Sequence, residues 1–154
     1  MPIYAKDTFS ISIAELRILL LLVQLIAFPS TFFFGWLSDK KGSKSLLLPL
    51  ILGWIFLVLA MALVPTKEYF YVIAVLTGFV IGSSQAIARS WLSKMIPKEK
   101  RCEFFGFNGF AGKISATTGP IVFGVVSSFT GNQRLAVLTI IPFLIISFLL
   151  FLKI

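Results

Sequence analysis

Six polar residues lie inside or beside long apolar runs: Gln24, Gln85, Arg89, Asn108, Lys113 and Thr117. Lys113 is the sharpest of them. It stands nine residues beyond Phe104, roughly 14 Å along a helix and close to the middle of a bilayer. An ammonium at that depth costs at least ~2.5 kcal/mol on insertion scales, so it requires a counter-charge or water. No aspartate or glutamate of the chain lies at comparable depth. Either the partner belongs to another polypeptide, or Lys113 faces an aqueous cavity that receives an anion or a carboxylate. A plainer reading is a lysine that snorkels outward from a helix starting later than Phe104. On a helix Gly109, Lys113, Thr117, Pro120 and Gly124 share one face, and Gly119-Pro120 loosens the backbone beyond the lysine.

A second constellation recurs at i, i+4, i+7 and i+11: Gly78, Gly82, Gln85 and Arg89 form one helical face, with Ala74 and Ala86 at the same four-residue interval. Small residues let helix backbones approach closely in lipid, so the glycines read as a packing seam. Gln85 and Arg89 either line a polar path or, for Arg89, reach the headgroups.

A third is the charged turn Gly35-Trp-Leu-Ser-Asp39-Lys40-Lys41-Gly42-Ser-Lys44, wedged between two apolar runs. Gly35 suits close contact at a helix end. Asp39 can accept from backbone N–H groups or pair with a base, and Gly42 suits a tight turn after a helix.

These residues need spanning elements to position them, and the composition supplies those elements. Of 154 residues 58% are hydrophobic and 13% charged, well away from the roughly 45–50% and 25% of soluble domains. The excess is gathered into charge-free runs: Ile18–Ser38, Ser45–Thr66, Tyr69–Ala88, Ile114–Gln133 and Leu135–Leu152. Each approaches the ~20 residues that cross about 30 Å of hydrocarbon. A period-two barrel pattern is absent, so the runs read as helices with their backbone bonds satisfied internally. The expected fold is an all-α integral membrane protein of about five transmembrane helices, near residues 13–38, 45–64, 69–95, 104–130 and 134–153. Residues 1–12 form an extracytoplasmic segment ahead of a single helical bundle, 13–154. Ser12 and Glu15 have capping-box spacing. Pro29 is expected to kink the first helix, Gly119-Pro120 to interrupt the fourth, and Pro142 falls inside the fifth.

The net charge of +8 reports topology rather than nucleic acid. Lys40, Lys41, Lys44, Lys94, Lys98, Lys100 and Arg101 fall in two connections on one side, against Lys67 and Arg134 on the other. The basic side is then cytoplasmic, with the N-terminus outside and the C-terminus inside, in a multi-pass protein of a prokaryotic cytoplasmic membrane. The apolar run at the start has neither the basic region nor the cleavage site of a signal peptide. A single cysteine, Cys102, excludes an internal disulfide. With no histidine and no paired carboxylates at depth, enzyme chemistry, a metal site and a bound cofactor are not expected. Ser45–Val64 and Leu135–Leu152 carry almost no polar atoms and read as lipid-facing. The first, third and fourth helices hold the polar residues and read as the inner ones.

The turn residues Gly35, Asp39, Lys40, Gly42 and Lys44 resemble the loop signature of the major facilitator superfamily, departing at Ser45, where a second basic residue is usual. The order Gln85-Ala86, Arg89-Ser90, Pro97, Phe105-Gly106, Gly112-Lys113, Gly119-Pro120, Gln133-Arg134-Leu135 is similar to the vacuole-effluxer-like permeases, related to the autophagy-associated vacuolar amino-acid exporter of fungi. The resemblance covers essentially the whole chain and implies helices 8 to 12 of a twelve-helix transporter. It also implies that the apolar second and fifth helices are peripheral, and that the charged turn is a cytoplasmic gating loop facing the other half. The partners implied are the bilayer, a small-molecule substrate and the N-terminal transporter half. The expected function is a portion of a secondary transporter moving a small solute, such as an amino acid, by alternating access. The competing readings are a truncated or split protein inactive alone, and a non-transporting membrane scaffold.

Overall fold

The computed structural model describes residues 8, 9 and 11–153; most of the expected N-terminal segment lies outside them. Among the described residues the chain is helical, with no strand. Helix α1 runs Ile13–Lys41, α2 Ser43–Leu63 and α3 Lys67–Met95; after a short 3-10 turn at Lys98–Lys100 come α4 Arg101–Thr130, α5 Gln133–Leu138 and α6 Ile140–Lys153.

Local chemistry explains most of these ends. Ser12 accepts from the Glu15 N–H at 3.2 Å while Glu15 accepts from the Ser12 N–H at 2.9 Å, a reciprocal cap that starts α1. Gly42, at φ +84°, lets the chain reverse after one residue, and its N–H donates to the Ser38 carbonyl at 3.1 Å. Gly131, at φ +62°, ends α4 in the left-handed conformation. The expected fifth helix is divided at Thr139. Pro142 has no N–H to offer the Leu138 carbonyl and its ring crowds it. The Thr139 hydroxyl instead caps the short α5, donating to the Ala136 carbonyl at 2.6 Å.

Among the described residues four stretches are long and apolar enough to cross a membrane: α1, α2, α3, and α5 with α6 taken together. Helix α4, at 30 residues, has the length, but its glycines, Asn108 and Lys113 dilute its hydropathy. It runs unbroken through Gly119-Pro120, contrary to the interruption expected there. Helix α1 likewise continues through Pro29.

The packing departs from the inner-and-outer order expected of the sequence. Helices α1 and α3 lie along one another. The almost wholly apolar α2 is no bystander: Leu47, Leu50, Leu57, Val58, Met61 and Ala62 are buried against α3, α5 and α6. One buried cluster gathers Leu19, Val58, Met61, Phe70, Ala74 and Val137; a second, towards the other end, gathers Leu47, Leu50, Ile87 and Phe151. Helix α4, expected inside, buries no residue and packs chiefly on α5 at its C-terminal end. Apolar side chains are as comfortable against lipid as against protein, so the lack of polar atoms on α2 did not determine its position.

Candidate solute pathway and gating turn

The seam between α1 and α3 is made by absence of side chains. A Cβ on Gly78 would come within 2.6 Å of the Val23 carbonyl oxygen, and one on Gly82 would collide with that of Ala27. Nearly one turn beyond Ala27, Ser30, buried, donates its hydroxyl to the Phe79 carbonyl at 2.6 Å. Close backbone approach and an interhelical hydrogen bond therefore reinforce each other. Gln24 follows Val23, and Gln85 and Arg89 follow Gly82 along α3; all three side chains are exposed beside the seam.

On α4 every residue from 101 to 121 is exposed, Asn108, Lys113 and Thr117 included. Thr117 returns its hydroxyl to the Lys113 carbonyl at 3.0 Å. An open, apolar groove of about 320 Å³ runs between α4 and the α5–α6 junction, lined by Ile114, Ser115, Thr118, Val122, Ile140 and Phe143. Lys113 precedes Val122 by nine residues, two and a half turns at 3.6 residues each, so it lies on the opposite side of α4 from that groove. The structure thus brings Gln24, Gln85 and Arg89 to one packed pair of helices and leaves Asn108, Lys113 and Thr117 on another. Among the described residues no hydrogen bond or ion pair joins the two groups.

The charged turn is held from α3. Asp39 pairs with Lys94 at 3.2 Å, and the Lys40 ammonium sits 4.1 Å above the Trp36 ring. Beneath them Ser38 and Ser43, both buried, share a hydroxyl hydrogen bond of 2.8 Å, which continues from Ser43 to Ser90 at 3.3 Å. Lys44 is exposed. Gly35 lies within α1, six residues before its end, with nothing within 4 Å of a Cβ placed there, so no close contact at a helix end requires it. Sequence reasoning missed Ser38, Ser43, Ser90 and Lys94. Ser38 and Ser43 stand in the conspicuous turn and Ser90 in the Arg89-Ser90 pair, but nothing in the sequence shows that their hydroxyls meet.

The opposite end of the bundle has its own ties. Glu15 pairs with Lys67 at 2.7 Å, and Arg134 donates to the Val64 carbonyl at 3.0 Å.

Compared with known proteins, the whole chain, residues 1–154, matches the family described as vacuole effluxer Atg22 like. It is 29% identical over 143 residues to an uncharacterized MFS-type transporter, YxiO, of Bacillus subtilis, covering 93% of this chain and 33% of that protein. It is 30% identical over 125 residues to a multi-drug resistance efflux pump PmrA homolog of Lactococcus lactis, covering 81% and 31% respectively. Autophagy-related protein 22 of Cryptococcus neoformans is 26% identical over 160 residues, with 94% and 28% covered. The chain spans about a third of the length of these curated relatives. No solved structure matches it.

Proposed function

The chain belongs to the vacuole effluxer Atg22-like family, and from that premise we propose that it forms the C-terminal portion of a secondary transporter. It moves a small solute, such as an amino acid, across a membrane by alternating access, together with an N-terminal portion. The observation that carries this reading is the turn at Gly42: it joins two spanning helices and is braced to a third by the Asp39–Lys94 ion pair and the serine hydroxyl chain. An ion pair half in solvent over a rigid hydroxyl-bonded base can break and re-form as two halves rock, which a gate needs. Names of the relatives, a transporter and an efflux pump, support the same class. Basic residues gathered at this end support its being cytoplasmic.

Gln24, Gln85 and Arg89 beside the α1–α3 seam, and Asn108 and Thr117 on α4, are the candidate walls of the solute path, with Lys113 beside them on α4 as a charge that needs a partner. The exposure of Asn108 and Lys113 on α4, polar groups without a hydrogen-bond or ion-pair partner among the described residues, favours a role with further helices over a self-sufficient scaffold.

The test is solute flux in proteoliposomes, run on the complete transporter and on the 154 residues alone with a panel of amino acids and of cationic drugs. Flux by the complete protein, absent from the short chain, is expected. Flux by neither, with correct insertion of both, would sink the transporter reading. Flux of drugs but not of amino acids would replace the solute class.

A further inference from the structure

The geometry points to the Lys113 face of α4 as the seat of a further membrane-spanning helix that carries an aspartate or glutamate at bilayer mid-depth. This rests on the reading of the chain as part of a longer transporter and names the partner of that site.

Four observations converge on it. Lys113 is exposed, and among the described residues the ion pairs are Lys67–Glu15 and Lys94–Asp39, neither of which includes it. It points away from α5 and α6, across the helix from Val122, so no rearrangement of the groove side would cover it. The same side of α4 carries Gly109 and Gly124, with Gly112 at its border, and a Cβ at any of these would meet nothing within 4 Å. The contrast with α3 is informative: there Gly78 and Gly82 are filled by the α1 backbone. Glycines of one kind in this chain have found their helix and those of α4 have not. Finally, the relatives are about three times as long as the chain, so polypeptide to supply such a helix exists in proteins of this family.

Charge complementarity selects the chemistry of the occupant. A transported carboxylate is present only part of the time and would leave the ammonium without a counter-charge between turnovers. A helix that presents its own carboxylate neutralises it permanently and satisfies its backbone internally, and the glycines let its axis come close enough for the two side chains to meet.

The experiment uses the 154-residue chain in phosphatidylcholine vesicles, with a donor dye on the exposed Cys102. The probes are acceptor-labelled transmembrane peptides of about 20 alanine and leucine residues, bearing Glu, Gln or Ala at the centre. Energy transfer should show the Glu peptide associating about tenfold more tightly than the Ala peptide, with Gln between. Lys113→Ala should abolish the difference while helicity is retained, and Gly109→Leu should weaken binding of the Glu peptide without touching the charge. Equal binding of the Glu and Ala peptides, or of the Glu and Gln peptides, overturns the proposal. So does a preference for Glu that survives Lys113→Ala. Release of the Glu peptide by excess free alanine, with the Ala peptide undisturbed, would assign Lys113 to solute instead and overturn it as well. Since no transport is measured, failure of the transporter reading shows separately in the flux assay.

Discussion

Asp39 in the last turn of α1 and Lys94 in the last turn of α3 meet at 3.2 Å although 55 positions separate them in the chain. Their side chains are 72% and 52% exposed respectively. A pair so placed contributes at most about 1 kcal/mol to stability and is weakened by salt. Its value is positional, since it orients the turn that follows α1.

Asp39→Asn and Lys94→Gln should therefore each change unfolding stability by less than about 1 kcal/mol while lowering the flux of the complete transporter. The exchange Asp39→Lys with Lys94→Asp should recover part of that flux. Flux unchanged in both single variants would remove the pair from the gating mechanism.

Gly82 is the tightest point of the α1–α3 seam, where an added Cβ meets the Ala27 carbonyl and the Thr31 hydroxyl. Gly82→Ala forces two backbones apart and should cost about 1–3 kcal/mol, as overpacking does. Gly35→Ala, into open space within α1, should be neutral or stabilising by up to about 1 kcal/mol. Reversible unfolding in mixed detergent, followed by circular dichroism, separates the two.

Ser43 is the middle of the hydroxyl chain, bonded to Ser38 at 2.8 Å and to Ser90 at 3.3 Å. Its replacement by alanine leaves the fully buried Ser38 without that partner and unties the turn from α3. The expected loss is about 0.6–2 kcal/mol, the range for interhelical polar contacts in membranes and for buried hydroxyls left unpaired. The same unfolding measurement would show it, with Ser45→Ala, an exposed neighbour, as the unaffected control.

Lys113→Ala should leave insertion of the complete transporter intact, as removing a charge from bilayer depth eases insertion, and should abolish flux. Arg89→Ala should reduce flux less, because an exposed arginine near the basic end of α3 can reach the headgroups without a partner. Protease-protected fragments report the insertion and proteoliposome flux the activity. Wild-type flux in Lys113→Ala would take the residue out of the transport mechanism.

Much of the fold is legible in the residues because its causes are local. The Ser12–Glu15 cap, the reversal at Gly42 and the turn at Gly131 each depend on a few neighbouring positions. The Pro142 break was half legible: the proline is evident, while the division of the helix at Thr139 depends on which carbonyl loses its donor. The site is less legible. Asp39 is conspicuous in its turn, but its partner Lys94 looks in sequence like any other basic residue on the same side of the membrane. The three serines carry no pattern that distinguishes buried hydroxyls from solvated ones.

By itself the sequence determined that this is a chain of membrane helices, roughly which stretches form them, and which family its motifs resemble. Hydropathy, caps and turn residues act over one or two helical turns and need no tertiary partner to be read. Only the tertiary structure decided which faces meet. In lipid, burial against protein gains an apolar side chain little over burial against acyl chains, so hydropathy does not distinguish the packed α2 from a lipid-facing helix. Steric fit decides instead, through the bare backbone at Gly78 and Gly82 and the hydroxyls of Ser30, Ser38 and Ser43. It filled the seam beside α1 and left the Lys113 face of α4 open.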